Sequence, residues 1–126
     1  MSDGDCFRVA ALLCAEMASA GHDTRLVHGT PVLEAGPHVG ERYWHAWVED
    51  TMASGFTTCL DYSNGHRFVL QRAAYYRRGQ LEQHHVYRYS PHSAHTHAAV
   101  AGHWGPWAAD PKGVTTVTRA DASKTV

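Results

Sequence analysis

Near the start of the chain, "CFRVAALLCAEMASAG" repeats its apolar residues with a helical period, and most of the remaining sequence is broken into short β-type runs. Cys6, Ala10, Leu13 and Met17 fall on one face, with Val9 and Leu12 beside it. Gly4 and Asp5 give the helix a start, with Asp5 as the expected cap, and Gly21 gives it a stop. The expected helix runs from about residue 5 to residue 20. One amphipathic helix followed by strands must lay its apolar face on a sheet, so the fold class is α+β.

The β-type runs come in order. "DTRLVHGTPVL" reads as a strand interrupted at Gly29 to Pro31, and "EAGPHVG" as a loop. "RYWHAWVED", residues 42 to 50, and "FTTCLDY" are aromatic or β-branched and read as strands, with "SNG" as a turn signal. "HRFVLQ" either pairs back as a strand or leads into a short helix through "RAAYYRR". "LEQHHVYRYS" alternates like a strand. Ser90 and Pro91 form a cap and first-turn pair for a helix over "HSAHTHAAVA". From Ala108 onward the sequence is polar and weakly patterned. The expected organisation is a core over 1–107 and a C-terminal tail or arm over 108–126, in which "GVTTVTRA" has enough β-branched residues for an edge strand.

A chain of 126 residues suits one domain with one core. Net charge is −1, which gives no electrostatic case for nucleic acid or an acidic membrane. No apolar run approaches the length of a membrane span. The opening "MSDGD" is acidic and polar, unlike a secretory signal. The three cysteines, Cys6, Cys14 and Cys59, form neither a disulfide framework nor a paired zinc motif. A reducing, cytoplasmic setting is therefore expected.

The chemistry concentrates in "DCF", "YWHAWVED" and "CLDYSNG". A helix N-terminus stabilises a thiolate through the peptide dipoles, and its outward amides can donate to a developing oxyanion. A cysteine at a helix entrance is thus placed as a nucleophile and needs a base. Alternation along residues 42 to 50 puts Tyr43, His45, Trp47 and Glu49 on one strand face and Trp44, Ala46 and Val48 on the other. If "TMASG" closes a hairpin with Asp50 against Phe56, His45 lies opposite Asp61. Asp61 then holds one imidazole nitrogen and leaves the other for Cys6.

A cysteine at a helix start, then "HAWVE", then a strand ending in Asp resembles the transglutaminase-like branch of the papain-like cysteine peptidase superfamily. "AGHDTRLVHG", residues 20 to 29, matches that family's connecting segment. The resemblance covers residues 4 to 65. It implies a papain/transglutaminase-like core, with the N-terminal Cys-bearing helix packed on an antiparallel β-sheet. It also implies Cys6 as nucleophile, His45 as base and Asp61 as orienter, with no cofactor. Only five residues precede Cys6, so the oxyanion donor found upstream in papain-like enzymes must come from elsewhere or be absent. Tyr43, Trp44 and the Cys6 amide are candidates, and Trp47 is a further substrate-side candidate, although packing is the ordinary role of a strand tryptophan. Asn64 competes with Asp61 as orienter.

The implied activity is a cysteine-dependent amide or ester hydrolase or acyltransferase working through a thioester. Hydrolysis is expected over cross-linking because water is always available. The substrate is a peptide, a protein or a small amide. A core this small lacks a substrate-binding domain unless a partner protein or a second copy supplies it. A non-catalytic binding module of the same fold is the alternative. A metal-binding protein is a third reading, raised by eleven histidines. His84, His85, His92, His95 and His97 cluster in sequence but lack the i, i+4 pairing of helical zinc ligands, so no metal is expected. His38 sits in a Gly/Pro loop and is a poorer base than His45.

Overall fold

The computed structural model describes residues 5–62, 65 and 67–108. Helix α1 spans Cys6–Ser19. Its end follows from Gly21, which takes a φ of +95°. That conformation lets the amides of Gly21 and His22 donate to the carbonyls of Ala18 and Met17, a Schellman closure. At the other end Asp5 does not act as the expected side-chain cap. Its carboxylate instead pairs with Arg8 one turn on, at 3.4 Å.

Five strands form one antiparallel sheet in the order β4-β3-β2-β1-β5. They are β1 Asp23–Gly29, β2 His45–Thr51, β3 Thr57–Asp61, β4 Phe68–Gln71 and β5 Val86–Tyr89. The first four make a meander. The chain then passes through helix α2, Arg72–Gly79, before β5 pairs with the far edge of β1. Helix α3, Pro91–Ala101, closes the described fold, and the Ser90 hydroxyl accepts from the Ser93 amide as its cap. The α+β class and the helix on an antiparallel sheet are as the sequence implies.

Both sheet faces are covered. α1 buries Phe7, Ala10 and Cys14 against Leu26, Ala46 and Val48, with Ala94 of α3 in the same cluster. On the opposite face Val27, Trp47 and Cys59 pack against Tyr75 of α2, Leu81 and Val86. Strand alternation accounts for the division, because neighbouring residues point to opposite faces.

Several expectations are corrected. β2 begins at His45 rather than residue 42, because Arg42 forms an isolated bridge with Val32 and the Tyr43 amide donates to Pro31. The β2–β3 register pairs Asp50 with Thr58 and not with Phe56. The turn holds Met52–Phe56, with Gly55 at a φ of +92° donating back to Met52, and the Thr51 and Thr57 hydroxyls meet at its base, 2.9 Å apart. The "LEQHHVYRYS" strand is shorter than expected. Gln83–His85 is a 3-10 turn, fixed by reciprocal bonds between Glu82 and His85. "HRFVLQ" forms β4 and also leads into α2. Residues 109 to 126, the bulk of the expected tail, lie outside the described residues. No described helix is long and apolar enough to cross a membrane.

Candidate active site

α1 packs on one sheet face with Cys6 as its first residue, and His45 is the first residue of β2. Both residues are largely enclosed, at 6% and 7% exposed. The observed register moves β3 by two residues from the expected pairing, so Asp61 falls across from Trp47 and diagonal to His45. A slip of two preserves the face on which each side chain points, and diagonal neighbours remain within reach of long side chains. His45 Nε2 accordingly lies 2.7 Å from Asp61 Oδ2.

That contact sets the tautomer. An ionised carboxylate can only accept, so Nε2 carries the proton and Nδ1 is the nitrogen left for Cys6. Burial pulls the His45 pKa down, but the Asp61 carboxylate, followed by Tyr43 and Cys6, outweighs it and holds the imidazole well above its ordinary value. Tyr43 belongs to the same group. Its ring centroid is 5.4 Å from that of His45. Burial raises its phenol pKa, His45 opposes the rise, and Asp61 and Cys6 add to it.

The other candidates separate. Trp44 is half-buried against the α1 cluster, its ring 6.1 Å from that of Tyr87. Trp47 is fully buried, its ring 6.2 Å from that of His45, and its indole N–H donates to Glu49 at 3.2 Å. It supports the imidazole from within the core and offers no surface to a substrate. Asn64 lies outside the described residues. Cys14 and Cys59 are buried, and burial pushes both thiols up, Cys59 the more strongly because the Glu49 carboxylate adds to the effect.

Beside this site sequence reasoning missed Tyr75, and it placed Glu49 on the His45 face as an ordinary strand residue without its partners. Tyr75 donates its hydroxyl proton to the same Asp61 oxygen, at 2.7 Å. Glu49, 2% exposed, accepts from Trp47, from the Tyr76 hydroxyl and from Arg88 Nε at 3.1 Å, with Arg72 at 3.6 Å. Burial alone makes an ordinary strand acid of Glu49 into the anchor of these partners. The adjacent tyrosines in "RAAYYRR" were the available signal for both, since buried phenols seek acceptors.

The family model of the transglutaminase-like superfamily matches residues 1–64, a span that contains Cys6, His45 and Asp61. The chain belongs to the transglutaminase-like superfamily. Members of this superfamily are in general cysteine-dependent enzymes of the papain-like kind. No curated protein and no solved structure matches the chain.

Glu82, His84 and His85 are the one described group whose potential metal-ligand atoms lie within 4.8 Å of one another. Its chemistry opposes a metal. The Glu82 amide donates to His85 Nδ1 at 2.9 Å, so the proton of the neutral ring is on Nε2 and no lone pair remains for a cation. The Glu82 carboxylate is itself held by the His85 backbone amide.

Proposed function

We propose that this transglutaminase-like chain is a cysteine-dependent amide or ester hydrolase acting through Cys6, His45 and Asp61, a peptidase or amidase rather than a cross-linker. The observation that carries the reading is the Nε2–Asp61 bond, which turns His45 Nδ1 toward its role with Cys6 while raising the basicity of the ring. The Cys6 thiolate attacks the carbonyl carbon and the carbonyl electrons move onto oxygen. This reading assigns the amide of Cys6, in the first turn of α1, as donor to that oxyanion, with Tyr43 as a second candidate. As the tetrahedral species collapses, the C–N bond breaks and the His45 imidazolium gives its proton to the departing amine. His45 then takes a proton from water, which attacks the thioester and releases the acid and the free thiol. Asp61 keeps the imidazole oriented through both halves.

The deep burial of Cys6 and His45 favours a second reading, a binding module of the same fold with no turnover. Intact-mass labelling with iodoacetamide at neutral pH separates the two. The expected result is one rapid adduct, mapped to Cys6, which forms at least about tenfold more slowly in His45→Ala. Cys6 labelling no faster than a peptide thiol, or at a rate indifferent to His45→Ala, overturns the enzymatic reading. With the pair established, turnover of a peptide p-nitroanilide or phenyl ester in the presence of a primary amine distinguishes hydrolysis from acyl transfer.

A further inference from the structure

We infer that Tyr75 is the positioning residue of this site, holding Asp61 so that His45 stays oriented and protonated for Cys6. The inference rests on the catalytic reading above and extends it by a fourth member. The geometry is specific. One oxygen, Asp61 Oδ2, receives both the His45 Nε2 proton and the Tyr75 hydroxyl proton, each at 2.7 Å. Two donors converging on one oxygen fix the direction from which that oxygen faces the imidazole. Asp61 is the last residue of β3, so the ladder does not hold it beyond its own position.

Tyr75 is itself held firmly. It is buried in the middle of α2, with its ring centroid 5.0 Å from Trp47 and 6.4 Å from Phe68. Trp47 in turn lies beside the His45 ring. The next residue, Tyr76, makes the equivalent bond to the Glu49 carboxylate on β2. Thus α2 presents two successive phenols to two carboxylates on adjacent strands, and only the first of these carboxylates touches the imidazole. The groups around Tyr75 agree with a donor-only phenol. Burial raises its pKa, and the Asp61, Tyr43 and Cys59 charges raise it further. A hydroxyl that does not ionise in the working range keeps its proton pointed at Asp61.

The test compares Tyr75→Phe with Tyr76→Phe and the unmodified chain. The readouts are the His45 imidazole titration by 15N NMR and the Cys6 alkylation rate. Tyr75→Phe keeps the ring and removes only the bond. The expected result is a His45 pKa lower by about one unit and Cys6 alkylation slower by roughly three- to tenfold, because an Asp61 free to turn stabilises the imidazolium less. Tyr76→Phe should leave the His45 titration where it was, even though it loosens the Glu49 cluster. An unchanged His45 titration and alkylation rate in folded Tyr75→Phe overturns the inference. If that variant does not fold, the reciprocal measurement decides. In Asp61→Asn the Tyr75 phenol should ionise at distinctly lower pH by ultraviolet titration, and an unshifted phenol refutes the coupling. The outcome is separable from the catalytic reading. An alkylation rate indifferent to His45→Ala removes the triad itself, whereas a rate that falls in His45→Ala but not in Tyr75→Phe removes only Tyr75.

Discussion

His28 gives the sharpest expectation for stability. It lies in β1, fully buried, and neither ring nitrogen has a hydrogen-bond partner among the described residues. Aromatic rings surround it, with Phe7 at 4.9 Å, Tyr89 at 5.2 Å and Trp107 at 4.7 Å between centroids. Gly105 closes the remaining side so tightly that a Cβ there would stand 2.5 Å from the imidazole. Burial, helped by the charge of His97, pulls the His28 pKa from 6.5 to about 3. The native state therefore refuses a proton that the unfolded chain accepts below pH 6.5, and stability must fall as the pH drops through that window. The full penalty, reached near pH 3, is about 5 kcal/mol, of which about 2 kcal/mol is felt between pH 7 and pH 5. His45 has the opposite sign, since its raised pKa adds stability that is lost only as pH rises through the folded value. His45 is present in both chains of the comparison and cancels. Urea unfolding at pH 7 and pH 5 should show the unmodified chain losing about 2 kcal/mol more than His28→Leu over that interval. Equal losses in the two chains, or a native His28 that titrates near pH 6 by NMR, would refute the reasoning.

Other perturbations act on single contacts. Gly29→Ala places a methyl 2.5 Å from the Trp47 ring and 3.1 Å from the His85 carbonyl, and should cost about 1–3 kcal/mol in chemical denaturation. Glu49→Ala strands the Tyr76 hydroxyl and the Trp47 N–H and should cost about 2–3 kcal/mol. That is less than a fully buried pair loses, because Arg88 and Arg72 can turn to solvent. Chelator should leave both the melting temperature and the Cys6 alkylation rate unchanged, and a loss of either that zinc restores would show that a metal is required.

Local elements were legible where the signal was local. The apolar period of α1, its stop at Gly21 and the Ser90–Pro91 start of α3 each depend on a few neighbouring residues, and each appears where expected. The β2–β3 register did not, because it depends on which residues join the turn, and the left-handed Gly55 draws Phe56 into the loop. The error left the His45–Asp61 contact standing, since a slip of two changes the partner but not the face. What sequence could not supply was long-range. β5 pairs with β1 between residues as far apart as Leu26 and Tyr89, and Tyr75 and Tyr76 find carboxylates on strands 14 and 27 residues earlier. A short "RAAYYRR" helix has too little apolar period to announce which strand face it will cover.

In the proposed site a thiol on the helix of one face serves an imidazole that projects to the other. α1 lies against the Leu26, Ala46 and Val48 face, whereas His45, Trp47 and Glu49 project to the face covered by α2. Midway along the sheet these residues are separated by the strands themselves. His45 is the first residue of β2 and Cys6 the first of α1, so the proposed pairing is made at the ends of these elements rather than along them. The site therefore requires both helices to be in place. α1 holds Cys6 in the cluster of Phe7 and Ala10, and Tyr75 of α2 donates to Asp61. A change that frees Asp61 from α2 without touching Cys6, such as Tyr75→Phe, should for that reason lower Cys6 reactivity through Asp61 and His45 while leaving the α1 packing intact. Such a change separates the electrostatic assembly of the site from the folding of the helix that bears its thiol.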